Sequence, residues 1–548
     1  MTSPSIDKAL QDALAQHRQG NLGAAMERYM KVLQEDVRNA DANYYVAVVM
    51  MQDGQLEEGI KLAKRALSME PPEGMPQARL HNLIGQALFR DGKLDDALKS
   101  FDRAIALKQD YADAHGNRAN LLTEMGDFDR AMVGFDNALL LRQDSPEDWC
   151  NRGATLNWLN RTEEALKSFD RAIALRPNLA GAHFNCGNML RDLGQMASAA
   201  GAPWAAQFDA SEAAQSRAIE LQPGFPDAHL GRGLARLLRG NWKDGWADYE
   251  YRSQVGSATF VPLKHSKWTG EAVQGTRLIL VTEQGLGDTI NFCRFAPLLA
   301  ARGFDVTILS KPAMAPLLST LPGVRIATSA EELAEDKRPI RWLPMMSLPG
   351  VLGIRPETIP AAVPYLAAAP ERIEAWARRL GSGGFKIGVN WASGHSSDLH
   401  FKKRDIPLAN FAALAAIPGV RLISLQKGPA VAEISQIAFR DRIAMVDADM
   451  DESADYFLDT AAVMMSLDLV ITCDTSIAHL AGALARPAFV ALPAVADWRW
   501  LLDRDDSPWY PTLKLFRQRK RGDWSDVFAR IAQLVRALAG GASTQATH

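Results

Sequence analysis

Along the first half of the chain, small and aromatic residues recur in one phrase: a glycine, a few polar residues, then Ala-x-x-x-aromatic-x-x-Ala. It stands at Gly92 with Ala97, Phe101 and Ala104, and at Gly126 with Ala131, Phe135 and Ala138. It returns at Asn160 with Ala165, Phe169 and Ala172, each step being 34 residues. Weaker copies begin at Gly20 and Gly54, also 34 apart, and another at Gly240. Gly194 keeps the register, residues 195–206 interrupt it, and the phrase resumes with Ala218 and Pro223. Positions spaced by four and three share one helix face. Pro71, Pro177 and Pro223 fall where a copy ends and a helix must stop. The pattern predicts antiparallel helix pairs over residues 6–252. One pair cannot bury its apolar face alone, so neighbours stack into an α solenoid with a concave groove.

From about Arg277 the pattern changes. Short β-rich apolar runs cover Arg277–Thr282, Val306–Leu309, Lys386–Asn390, Val420–Leu425, Leu467–Thr472 and Ala488–Leu492. Helical patterns separate several of them, at Leu408–Ala416, Ala454–Ser466 and Ser476–Ala485. Such alternation predicts parallel sheets covered on both faces, an α/β fold. Two series give two Rossmann-like lobes, 277–369 and 385–540, preceded by a linker at 253–276. An interlobe helix over 370–384 ends in Gly-Ser-Gly-Gly. Ligands of such sheets bind in the crevice at the carboxyl ends of the strands. A last helix, Asp523–Leu538, is expected to pack back across the lobes.

Composition narrows the function. With 61 basic and 64 acidic residues the net charge is only −3, which gives no electrostatic reason to expect nucleic acid. The four cysteines are far apart, with no Cys-x-x-Cys pair, which argues against a disulfide framework or a zinc site. The start, MTSPSIDKALQDAL, carries no basic-then-apolar export pattern, and no apolar run approaches the roughly 20 residues of a membrane span. A cytoplasmic location is expected.

Asn117, Asn151 and Asn185 occupy one repeat position. Their amides either pair with the backbone of an extended peptide or reflect a residue common at that place. His81, His115, His183 and His229 share a column with Trp149. Stacked helices are about 10 Å apart, too far for shared metal ligation, so the column reads as a packing position.

Two turns carry the candidate chemistry. Glu283-Gln284-Gly285-Leu286-Gly287-Asp288-Thr289 follows the first strand and opens a helix. Gly285 and Gly287 allow a tight turn and close approach of a ligand. Asp288 either caps that helix or takes a proton at the cleft. Asp474-Thr475-Ser476-Ile477-Ala478-His479 follows the strand Leu467–Thr472. Its hydroxyls and helix-start N–H groups suit phosphate oxygens, and His479 shares a face with Thr475. Lys402-Lys403-Arg404 is a basic run before the helix near Leu408, and a solvated charge run is the commoner fate of three such residues. Gln426 and Lys427 end a strand, where cleft residues belong, and are second candidates to meet a phosphate; Asn390 and Trp391 also end one and wall the site. Asp497-Trp498-Arg499-Trp500 and Ser507-Pro508-Trp509-Tyr510-Pro511 suit sugar stacking or, for most of them, a core corner.

The 34-residue period resembles the tetratricopeptide repeat. The Leu286-Gly287-Asp288 turn is similar to that of bacterial heptosyltransferases, and Asp474–His479 resembles their donor-phosphate motif. Together these resemble bacterial tetratricopeptide proteins with a glycosyltransferase domain, from about Gly20 to Leu538. The resemblance implies a GT-B fold and direct, inverting, metal-independent transfer from a nucleotide sugar, with no other cofactor. It makes Asp288 the base, and Lys403 or Arg404 the partner of the leaving phosphate, with Lys427 the other candidate by its place at a strand end. Protein O-linked N-acetylglucosamine transferase, which the first half resembles, uses an asparagine ladder to hold its acceptor. A protein hydroxyl, with flagellin as a candidate, is the implied acceptor. Heptosyltransferases lack the repeats, so their lipopolysaccharide acceptor does not carry over. The alternatives are a repeat scaffold or chaperone with an inactive domain, and transfer to a glycan.

Overall fold

The computed structural model describes residues 4–69, 75–256, 262–272, 275–283, 285–334, 336–394, 404–446, 450–451 and 457–545. Pro71 and Gln284 lie outside them. Contacts divide the chain into two units, Met1–Met189 and Leu190–His548, the boundary falling inside the helix Ala180–Ala199.

The first unit is built of paired helices, among them Met75–Arg90 with Leu94–Leu107, Ala112–Glu124 with Phe128–Leu141, and Pro146–Trp158 with Thr162–Leu175. The glycine of the repeated phrase turns the chain between the helices of a pair. Gly92 and Gly126 have φ of +75° and +80°, and Asn160, which replaces it, has +60°. Asparagine is the side-chain residue that best tolerates this left-handed region. The aromatic of the phrase is fully buried at Phe101, Phe135 and Phe169. Each contributes on the order of 1.5–3 kcal/mol by leaving water. A Cβ on Gly85 would lie 2.6 Å from Phe101, and one on Gly153 2.6 Å from Phe169, so a bare backbone makes room for the ring.

The second unit holds the last helices of the repeat pattern, Ala205–Leu221, Pro226–Leu238 and Trp242–Tyr249, and two parallel sheets. The strands, in chain order, are β1 Ser266–Lys267, β2 Arg277–Val281, β3 Asp305–Leu309, β4 Arg325–Ala327 and β5 Ile340–Pro344 in the first sheet. The second contains β6 Phe385–Asn390, β7 Val420–Ser424, β8 Ile443–Met445, β9 Leu469–Cys473, β10 Ala488–Leu492 and β11 Leu513–Arg517. Their spatial orders are β1-β5-β2-β3-β4 and β11-β10-β9-β6-β7-β8. All ladder pairs among the described residues are parallel. The second order is the doubly wound 3-2-1-4-5-6 arrangement.

Several details differ from expectation. The stretch 253–276 includes β1, which pairs with β5, and buries Trp268. The interlobe helix is Pro370–Leu380, stopped by Gly381 at φ +68°. Its Trp376 and Arg372 both donate to Asp459. The expected helix over Ala454–Ser466 is seen as Leu458–Met465, its start lying outside the described residues. The last helix, Ser525–Gln545, packs on the second sheet's β11 and the helix Ala412–Ala415 rather than across both lobes. Its apolar face, with Val527, Phe528, Ile531 and Val535, completes that lobe's core. Among the described residues no helix is long and apolar enough to cross a membrane.

The interruption of the repeat has a structural purpose. Pro177 to Pro223 spans 46 residues, 12 more than one period (46 − 34). The surplus lengthens the helix Ala180–Ala199 and forms the turn before Ala205. Within the second unit it holds the loop that follows β10. Ser198 Oγ donates to Asp503 at 2.6 Å, the Trp204 indole N–H donates to the same carboxylate, and Ala496 N–H donates to Gln195 at 3.0 Å. Trp242, Trp246, Trp498 and Trp509 pack edge and face beside them.

Candidate active site

In a doubly wound sheet the chain leaves the central strands in opposite directions, opening a crevice at their carboxyl ends. In the second sheet that point lies between β6 and β9, and in the first between β2 and β5. Both candidate turns stand there. After β9, Asp474 is followed by Thr475, extended at φ −137°, and the helix Ser476–Ala483. After β2, Gly285 caps the helix Leu286–Phe292.

These two helices pack on each other. A Cβ on Gly287 would come within 2.9 Å of His479 Cδ2 and 3.3 Å of Ser476 Cα, so glycine permits the approach. His479 is buried, 5.5 Å from the Trp500 ring and nearly parallel to it. Asn291 donates to Tyr510 Oη at 2.9 Å, leaving the tyrosine proton for His479 Nδ1 at 3.0 Å. That arrangement puts the imidazole proton on Nε2. Burial, and secondarily Arg499, pushes the His479 pKa down to about 3, so the ring is neutral.

Asp288 Oδ2 accepts from Gly285 N–H at 3.0 Å, the capping arrangement, while Oδ1 is ion-paired with Arg499 from the other lobe. Arg499 also binds Asp497 at 2.8 Å, and its guanidinium lies over the Phe292 and Trp498 rings at 5.3 and 4.7 Å. Arg404 Nη1 is 4.0 Å from Asp474 Oδ2. Burial works against charge on Arg404, but Asp474, Asp497 and Asp288 outweigh it and raise its pKa. Burial pushes the Asp474 carboxyl up. Asp497 is held down because Arg499 and Arg404 overcome its burial. Three carboxylates, Asp288, Asp474 and Asp497, are thus gathered with Arg404 and Arg499 where the two turns meet.

Thr475 Oγ1 donates to Asn390 Oδ1 at 2.9 Å, and Thr472 donates to the same atom at 3.1 Å, fixing the turn to β6. Gln426 belongs to this scaffold. Its Oε1 accepts from Asn390, Trp391 and Ala392, and its Nε2 donates to the Ala392 and Lys427 carbonyls. Both amide protons are used, so Gln426 is a clamp between strand ends rather than a phosphate donor here. Lys427 is likewise turned to Asp451, at 3.1 Å, and to the Met450 carbonyl. Asp451 is itself fixed by Asp459 N–H and the Thr460 hydroxyl. Lys402 and Lys403 lie outside the described residues.

The aromatic phrases form core. Trp498, Trp500, Trp509 and Tyr510 are buried. Arg499 and Asp497, within them, join the site through their charges, a role the sequence pattern of stacking or core residues does not assign them. Their one signal is their place, a few residues past the carboxyl end of β10.

In the first unit a cavity of about 300 Å³ is lined by Val48, Met51, Leu83, Gln86, Arg90 and Asn117 among others. The asparagines there bond along the array. Asn117 donates to Asn82 at 3.0 Å and Asn185 to Cys150 Sγ at 3.4 Å, while Asn151 is half-buried. The histidine column has a shared rule. His115, His183 and His229 each place Nε2, and Trp149 its Nε1, on the backbone carbonyl six residues earlier. Tryptophan can replace histidine because what the position needs is a ring N–H.

Residues 85–126 match the model described as TPR repeat, and residues 146–179 match that of the Tetratricopeptide repeat. The chain is 27% identical over 542 residues to Protein FlbA of Caulobacter vibrioides, covering 93% of this chain and 86% of that protein. Among solved structures, a thermophilic TPR protein of Thermus thermophilus, TTC0263, is 21% identical. It covers 31% of this chain and 92% of its own, with a TM-score of 0.28. Pseudomonas aeruginosa pilF is 18% identical, covering 41% and 94%, with a TM-score of 0.34. The N-terminal region is an array of tetratricopeptide repeats, in a chain similar to Protein FlbA along most of its length.

Proposed function

We propose that this protein is a glycosyltransferase of the GT-B type that moves a sugar from a nucleotide donor to a hydroxyl of a protein. The observation that carries this reading is the packing of the two switch-point helices. It sets Gly287 of one lobe against Ser476 and His479 of the other, and Asp288 against Arg499. The helix start at Thr475–Ser476, with Arg404 and Arg499, suits the phosphate of the donor. The acceptor oxygen attacks the anomeric carbon and its proton passes to Asp288. The bond from that carbon to the donor phosphate breaks, and the nucleotide leaves with its charge stabilised by the guanidiniums. Neutral His479 contributes N–H chemistry and shape rather than charge.

The repeats supply protein binding, which supports a protein acceptor, and the resemblance to flagellin-modifying enzymes makes flagellin the first to try. A scaffold with an idle domain is the second reading, favoured by the engagement of both Asp288 oxygens.

Thermal unfolding with UDP, GDP, ADP, dTDP and CMP tests the proposal. A nucleotide at a hundred times its dissociation constant adds about 2.7 kcal/mol. The same preparation with the matching sugar nucleotide and flagellin should yield glycosylated protein, and Asp288→Asn should not. Stabilisation by none of the nucleotides and no transfer would leave the scaffold reading standing.

A further inference from the structure

We propose that Asp288 occupies the phosphate position of Arg499 until a donor displaces it, so that the donor itself uncovers the base. This rests on the transferase reading above and adds the order of events at its site.

Four observations converge. Arg499 is 5% exposed, its two terminal nitrogens are taken by Asp288 and Asp497, and its Nε has no hydrogen-bond partner among the described residues. The guanidinium is thus a buried, fork-shaped anion site already filled by carboxylates. Of those two partners only one is separable. Asp497 is two residues from Arg499 and also accepts its backbone N–H at 3.0 Å, whereas Asp288 arrives from the other lobe.

A helix start also stands against the turn that carries Asp288. Ser476 N is 3.5 Å from the point where a Cβ on Gly287 would sit, one residue from Asp288. That helix start and the Arg499 guanidinium both stand at the turn that carries Asp288, and both suit a phosphate oxygen.

Carboxylates crowd the same place. Asp288, Asp474 and Asp497 lie around Arg404 and Arg499, with Arg517 beside Asp474. A multiply charged phosphate entering beside three carboxylates is repelled unless one gives up its cation. When the phosphate takes Arg499, Asp288 loses its partner and its Oδ1 lone pairs become available to an acceptor hydroxyl. Donor therefore binds before acceptor, and the base is withheld while no donor is present.

The distinguishing result is an affinity that rises when a supposed catalytic group is removed. Asp288→Asn keeps the acceptor for Gly285 N–H but drops the charge. Calorimetric titration with UDP, GDP, ADP, dTDP, CMP and inorganic pyrophosphate should show it binding about tenfold tighter than wild type to whichever of them wild type binds. Arg499→Gln should bind more weakly, and adding Asp288→Asn to it should bring no gain. Unchanged or weaker binding by Asp288→Asn, or an equal gain without Arg499, overturns the proposal. Should Arg499→Gln fail to fold, the comparison of Asp288→Asn with wild type decides alone. Binding of none of these ligands by wild type would instead overturn the transferase reading, and this one with it.

Discussion

Gly287 and His479 are in such close apposition that a single methyl group has no place between them: it would sit 2.9 Å from the imidazole Cδ2. The backbone of the Ser476–Ala483 helix, at 3.3 Å, bars movement the other way. Gly287→Ala should therefore push the two lobes' helices apart, at a cost of about 1–3 kcal/mol from overpacking. Thermal melting reads the loss, and the stabilisation by nucleotide should fall with it. Gly181→Ala, whose new methyl meets nothing within 4 Å, is the matched control.

His479 makes stability depend on acidity. Its pKa falls from 6.5 in the unfolded chain to about 3 when folded, so between those values the unfolded chain holds more protons. Stability contributed at neutral pH is then lost as pH drops below 6.5 and levels off near 3. From pH 7 to pH 5 the single group accounts for about 2 kcal/mol. Urea unfolding at the two pH values should show a smaller acid loss in His479→Gln than in wild type. Parallel losses would mean the ring is not buried neutral.

Trp149→Phe should be less stable than Trp149→His by about 0.5–1.5 kcal/mol in thermal melting, the value of one hydrogen bond to the Gln143 carbonyl. Both replace the indole with a single ring, and only histidine keeps an N–H.

Asp503 joins the loop after β10 to Ser198 and Trp204, and it is held at φ +51°, with Leu501 at +52°. Backbone in this region persists only where surrounding contacts enforce it. Asp503→Ala should relax the loop that carries Arg499 and weaken nucleotide binding. Thermal melting should show about 1–3 kcal/mol of lost stability, and calorimetry the weaker binding.

How much of this was legible in the sequence follows from what each signal encodes. The repeat was plain because its glycine, alanine and aromatic positions each answer a local need, as the positive φ of Gly92, Gly126 and Asn160 shows. Strands buried on both faces, such as Arg277–Val281 and Ala488–Leu492, stood out as apolar runs. Edge strands did not. Ser266–Lys267 has two exposed residues, and Arg325–Ala327 is only partly covered, so neither carries a pattern. The two turns were found because a strand's carboxyl end fixes a place. A strand's end does not fix direction, which is why Gln426 and Lys427 were read as facing the crevice although one clamps backbone and the other turns to Asp451. Arg499 was hidden for another reason. It is 211 residues from Asp288 and sits between two tryptophans whose burial dominates the local pattern.

The 12-residue interruption puts the anchor of the last repeats inside the second unit. Gln195, Ser198 and Trp204 tie the last helices into the α/β unit, while each 34-residue copy upstream packs on the next as a unit of its own. Gene duplication could thus lengthen or shorten the array 34 residues at a time, at its far end, without touching the residues around Arg499. The reach of the protein and the chemistry of its crevice are free to evolve on separate clocks.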